Sequence, residues 1–174
     1  GKYIIADPKR SDVSAYANVD LLTPNLTELQ AITVTPLATI DAIGKAATKL
    51  AKTHGFGSIL TTLSARGMIL SLQDGAQFHD PARAQDIFDV SGAGDTVVAM
   101  LAGAVAAGAR LEDAVELANH AAGVAVSKSG TAIVAPGELL AYIGSAPPIT
   151  DWPSVAVQCA SWRDAGQKVA CATG

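Results

Sequence analysis

The segment Asp89-Val-Ser-Gly-Ala-Gly-Asp95-Thr96 runs small residues straight into Val97, Val98, Leu101 and Val105, which are spaced as one face of an apolar helix. A helix start leaves backbone N–H groups unpaired and carries partial positive charge. Glycines on either side of Ala93 let an anion come close to those N–H groups. Asp95 falls in the first turn beside the same opening, where a carboxylate can take a proton from an attacking hydroxyl. An anion cradle next to a base suits phosphoryl transfer. The plainer reading is a glycine-rich helix start whose Asp95 adds about 0.3–1 kcal/mol through the helix dipole. Neither G-x-x-x-x-G-K-[ST] nor G-x-G-x-x-G occurs in the chain.

Outward from this segment the pattern alternates strands and helices, the signature of α/β layers. Residues 2–6 read as a short strand stopped at Asp7-Pro8, and Leu21-Leu22-Thr23 as a second one stopped at Pro24-Asn25. A helix is expected to begin there, with Asn25 as its cap and Glu28 three residues on. Residues 41–52 form the next helix, with Ile43, Ala46, Ala47 and Leu50 on one stripe. Residues 58–62 and 68–72 are strands around a turn at Ala65-Arg66-Gly67, and Asp74-Gly75 makes a hairpin turn into residues 77–79. After the helix that Gly108 ends, residues 111–127 form another, and Pro136 starts a shorter one. Ala146-Pro-Pro-Ile-Thr-Asp151 reads as a linker, followed by a helix and the start of a strand.

Composition narrows the function classes. Hydrophobic residues are 49% of the 174 and aromatics only 5%, so the core is aliphatic. Charged residues are 16%, below the usual share of about a quarter, which points to apolar surface covered by a partner or by further chain. The net charge of −4 argues against nucleic acid. Cys159 and Cys171 read as free thiols of a reducing cytosol, and no segment has the length of a membrane span. The chain lacks a starting Met and is expected to be part of a longer protein.

Four segments in order resemble the ribokinase-like (phosphofructokinase B) sugar kinases. Asp89 to Asp95 resembles the D-T-x-G-A-G-D signature, Asn25-Leu-Thr-Glu28 the N-x-x-E element, and Thr62-Leu-Ser-Ala-Arg-Gly67 the T-x-G-x-x-G nucleotide turn. Asn119 resembles the asparagine near the adenine pocket, with Ser129-Gly-Thr131 following. Asp7-Pro-Lys9 with Leu22-Thr-Pro-Asn25 is similar to the heptose 7-phosphate kinase branch, and Trp162 to Val169 to the entry into an adenylyltransferase domain.

The resemblance implies a ribokinase-like α/β fold, a mostly parallel sheet flanked by helices, here a partial domain over residues 1–145. A linker at 146–151 and the start of a nucleotidyltransferase-like domain at 152–174 would follow. It implies Asp95 as catalytic base, the backbone of Gly92, Ala93 and Gly94 as anion hole, and Lys9 near a phosphate or the sugar phosphate. Asn25, Thr62, Ser64, Gly67 and Asn119 would bind the nucleotide, Glu28 would hold Mg²⁺ through water, and Asp89 and Ser91 would hold a monovalent cation, K⁺. The implied ligands are ATP and a sugar phosphate, heptose 7-phosphate giving heptose 1,7-bisphosphate; the implied setting is a cytoplasmic homodimer of the full-length protein. The sequence departs from the pattern at Ser64 and Arg10, where glycine is usual, and at Ser91 and His120. No H-x-G-H-type motif occurs, so adenylyl transfer is not expected of this chain. Two rivals stand: a non-catalytic nucleotide-binding fragment, and a kinase of the family for another sugar or a nucleoside.

Overall fold

The computed structural model of the chain describes residues 2–82, 92–128 and 133–144. Five strands form one sheet in the order β1 (Ile5–Ala6), β2 (Leu21–Leu22), β3 (Ser58–Thr62), β4 (Met68–Leu72) and β5 (Gln77–Asp80). The first three run parallel and the last three form an antiparallel meander. The strand expected over residues 2–6 is shorter, because only Ile5 and Ala6 find partners, in Leu21 and Leu22. Both edges of 58–62 and 68–72 match the sequence reading.

Helices α1 (Leu26–Thr33) and α2 (Ile40–His54) cover one face of the sheet; α3 (Ala93–Ala106) and α4 (Leu111–Val126) cover the other, and α5 (Pro136–Gly144) packs on α4. Strand side chains alternate between the two faces. Leu22, Ile59 and Ile69 join Leu29, Ile43, Ala47 and Leu50 in one core, while Leu21, Leu60, Met68 and Leu70 join Val97, Leu101, Val115 and Ala118 in the other. Burial of each Leu, Ile or Val contributes about 1.5–3 kcal/mol, so both faces are needed to hold the sheet.

Local chemistry sets the helix limits. Thr39 Oγ1 accepts from the Ala42 N–H at 3.1 Å to cap α2, Asp41 lies in its first turn, and Gly55 at φ 74° ends it. The stripe expected on this helix is seen, with Ile43, Ala47 and Leu50 buried and Ala46 packed beside them. Among the described residues no helix is long and apolar enough to cross a membrane.

Two hydroxyls sit wrongly for a core. Thr61 Oγ1 and Ser71 Oγ are fully buried on neighbouring strands and find no partner among the described residues. An unmet buried hydroxyl costs about 1–3 kcal/mol. Thr61→Val and Ser71→Ala are therefore expected to leave stability unchanged or raise it, read as the urea midpoint. A loss above about 1 kcal/mol in either variant would mean a bridging group satisfies the hydroxyl.

Candidate active site

The site begins at the start of α3. Gly92, at φ 79°, is the residue before the helix and supplies no side-chain cap. Its carbonyl accepts from the Thr96 N–H at 3.0 Å and from Thr96 Oγ1 at 2.9 Å. The N–H groups of Ala93, Gly94 and Asp95 thus have no partner within the helix and none from a cap. A Cβ at Gly94 would meet nothing within 4 Å, so packing does not require glycine there; the open space is what a ligand would use. Asp95 is exposed, and its carboxylate makes no hydrogen bond among the described residues.

Facing it is the start of α1. Asn25 Oδ1 accepts from the Glu28 N–H and Glu28 Oε2 from the Asn25 N–H, both at 2.8 Å. This reciprocal capping box is the structural role that the sequence allowed for the pair. Among the described residues it leaves Asn25 Nδ2 as an uncommitted donor and Glu28 Oε1 as an uncommitted acceptor. The three parallel strands end here as well. Asp7 follows β1, Thr23 follows β2 and donates to the Ala6 carbonyl at 3.2 Å, and Thr62 closes β3. A cavity of about 160 Å³ lies among these groups, lined by Asp7, Lys9, Asn25, Glu28, Thr62 and Asp95 together with Gly92 and Gly94. Asp7 ion-pairs with Lys9 at 2.6 Å. That hydrogen bond, then the charge of Asp7 and, more weakly, of Glu28 and Asp95, holds the Lys9 ammonium above its ordinary range.

A larger cleft of about 580 Å³ shares Asn25, Thr62, Gly94 and Val97 with the first. Its rim is the turn Ser64–Arg66, where Ser64 holds φ 53°, a left-handed backbone that explains why glycine is usual at this position of the resembled motif. Gly67, buried and at φ 82°, closes the turn. Arg66 anchors the turn outward by donating to the Ala38 carbonyl at 3.0 Å. His79 anchors it from β5: its Nε2 lies 2.8 Å from the Arg66 carbonyl, which can only accept, so Nε2 carries the proton. Asn119, on α4, is buried and also lines the cleft.

The structure therefore gathers Lys9, Asn25, Glu28, Thr62 and Asp95 around one cavity and Ser64, Gly67 and Asn119 around the adjoining one. Arg10 and His120 line neither; His120 Nδ1 bonds the Glu116 carbonyl at 2.8 Å. Asp89 and Ser91, Ser129 to Thr131, and the linker and second domain expected over 146–174 lie outside the described residues. Sequence reasoning missed His79 and Asp80, since neither lies in a motif. Asp7 was legible as a strand end and within Asp7-Pro-Lys9, with no role assigned to its side chain.

Two helix starts converge on a cavity at the carboxyl ends of the parallel strands, where backbone N–H groups suit an anion. Comparison with known proteins gives the family. The sequence profile of the pfkB family carbohydrate kinases matches residues 1–137, and the chain belongs to that family. It is 42% identical over 180 residues to the bifunctional protein HldE of Halorhodospira halophila, covering 100% of this chain and 38% of that protein. It is 42% identical over 183 residues to HldE of Paramagnetospirillum magneticum, covering 100% and 37%. The chain thus spans less than two fifths of the length of these relatives. Among solved structures, Arabidopsis thaliana ribokinase complexed with ribose and ATP superposes with a TM-score of 0.73 at 26% identity, covering 82% of this chain and 47% of the ribokinase. The fold is ribokinase-like, a mixed sheet flanked by helices.

Proposed function

We propose that the chain carries the nucleotide- and phosphate-handling part of a kinase that moves the γ-phosphoryl group of ATP to a sugar hydroxyl. The sugar we propose is heptose 7-phosphate, the product heptose 1,7-bisphosphate. The observation that carries this reading is the uncapped start of α3 opening, beside Asp95, onto the cavity that the start of α1 faces. The nucleotide would occupy the larger cleft, with Thr62, Ser64, Gly67 and Asn119 along it and its terminal phosphates in the smaller cavity. Asp95 takes the proton of the sugar hydroxyl as its oxygen attacks the γ-phosphorus, and the bond to the β-phosphate oxygen breaks to release ADP. The N–H groups of Gly92, Ala93 and Gly94 with their neighbour Asp95 stabilise the charge that gathers on the phosphoryl oxygens. Asn25 Nδ2 and the Lys9 ammonium add donors to the phosphates.

Three carboxylates, of Asp7, Glu28 and Asp95, face one ammonium across the cavity, a set that repels a polyphosphate arriving without a cation. Hard oxygen donors suit Mg²⁺, which keeps several of its waters, and Glu28 Oε1 is available to one of them. Bound there, the ion would neutralise phosphate charge. Among the described residues no cluster of three or more acidic, His or Cys groups could hold a metal ion. We place K⁺ at Asp89 and Ser91, a homodimer in the full-length protein, a cytoplasmic setting, and the domain division at 145/146 within the same proposal. The heptose assignment is supported by the likeness to the HldE proteins and by Asp7-Pro-Lys9 with Leu22-Thr-Pro-Asn25.

The test is product analysis by mass spectrometry. The full-length protein that carries this chain, given MgATP and heptose 7-phosphate, is expected to yield the bisphosphate. Phosphorylation of ribose or adenosine in its place would move the substrate elsewhere in the family. ATP binding with no acceptor phosphorylated would favour the non-catalytic reading.

A further inference from the structure

Ser64, on the rim of the larger cleft, holds a left-handed backbone at φ 53°. An L side chain disfavours that region about tenfold, whereas glycine takes it freely. Ser64 does not offset its own strain: it is exposed, and its Oγ makes no hydrogen bond among the described residues. Three main-chain bonds close the turn. The Leu63 N–H donates to the Gly67 carbonyl at 2.8 Å, the Arg66 N–H to the Leu63 carbonyl at 3.1 Å and the Gly67 N–H to the Ser64 carbonyl at 3.0 Å. None of the three reaches outside the turn.

Two further bonds do, and both meet at Arg66. Its Nη1 donates to the Ala38 carbonyl, just before α2, at 3.0 Å. Its carbonyl accepts from His79 Nε2, on β5, at 2.8 Å. His79 stands on a firm support. β5 pairs with β4 from Gln77 to Asp80, and Asn119 Nδ2 on α4 lies 3.5 Å from the Asp80 carbonyl and 2.8 Å from that of Pro81. His79 itself is exposed and lines neither cavity. Among the described residues, the Arg66 carbonyl is the one hydrogen-bond partner of its ring.

We infer that His79 is a positioning residue for the nucleotide: with Arg66 it holds the turn in the left-handed arrangement at Ser64, and so lets the chain keep a serine where a glycine would need no such hold. The inference rests on the nucleotide reading of the cleft. It adds a residue outside every motif that sets how much of the protein is ready to bind. One hydrogen bond is worth about two- to tenfold, the same order as the strain at Ser64, so losing it lets a sizeable share of the turns relax. A ligand that fits only the held turn then binds more weakly in proportion to the share that has relaxed.

The test is calorimetric titration of the full-length protein with MgATP, paired with steady-state kinetics at saturating heptose 7-phosphate. His79→Ala is expected to weaken MgATP binding and raise its KM about fivefold, with kcat within about twofold. His79→Gln is expected to recover most of the loss, since its amide nitrogen reaches about as far as Nε2 and also donates. In a Ser64→Gly background, His79→Ala is expected to cost less than about twofold, because glycine needs no hold. A merely structural role would lower the unfolding midpoint and kcat, leave KM unmoved and give glutamine no advantage over alanine. That pattern, unchanged MgATP affinity in His79→Ala, or an equal cost in the serine and glycine backgrounds would overturn the inference and leave the nucleotide reading standing. An unaltered protein that binds no MgATP would overturn both.

Discussion

In the full-length protein that carries this chain, Asp95→Asn is expected to lower turnover about 10²–10⁴-fold while MgATP still binds. The substitution keeps size and hydrogen-bonding capacity but removes the basic oxygen. Asp95 is exposed and makes no side-chain hydrogen bond among the described residues, so the scaffold has little to lose. Its share in the helix dipole is at most about 1 kcal/mol, a few degrees in melting temperature. Steady-state kinetics with saturating heptose 7-phosphate, paired with calorimetry for ATP, separates the two effects. Near-normal turnover would remove the carboxylate from the role of base and leave the amide cradle as the main source of catalysis, since one preorganised donor is itself worth about 3 kcal/mol.

Gly67→Ala is expected to cost about 4 kcal/mol or more, at the severe end for one substitution. Two independent causes add. The backbone at φ 82°, ψ −133° is one that L side chains rarely adopt. The new carbon would also lie 2.0 Å from the Asp80 carbonyl oxygen, 2.5 Å from the Ala82 nitrogen and 2.6 Å from the Pro81 carbonyl carbon. All three are main-chain atoms, so no rotamer change makes room. The turn or the end of β5 must move, and that end carries both carbonyls that Asn119 grips. The measurement is the midpoint of thermal or urea unfolding. A loss below about 1 kcal/mol would show that the two segments part more easily than their packing indicates.

Much of this was readable from single residues. The α1 start followed from Asn25 and Glu28 because a capping box is local, and β3 and β4 followed from short apolar runs bounded by turn residues. The start of α3 was legible at Gly92 to Asp95 for the same reason. What the sequence hid was contact across distance. Asn119 and Asp80 are 39 residues apart, and His79 meets Arg66 across 13. No periodicity marks such pairs, since they depend on how β5 docks against α4 and the turn before β4. Gly67 was read as a nucleotide-turn glycine; the structure adds a second reason for it, the close passage of the 80–82 backbone. Glu28 was read for metal or for capping, and the geometry allows both, one oxygen each.

The cores lie on opposite sides of the sheet. Leu29 roots α1 in one and Val97 roots α3 in the other, yet the cavity needs both helix starts in register. Productive geometry is thus a relation between two layers that are stabilised separately. Gentle warming that lets one layer slip against the sheet would silence the chemistry while circular dichroism still recorded intact helices, so loss of activity should come before melting.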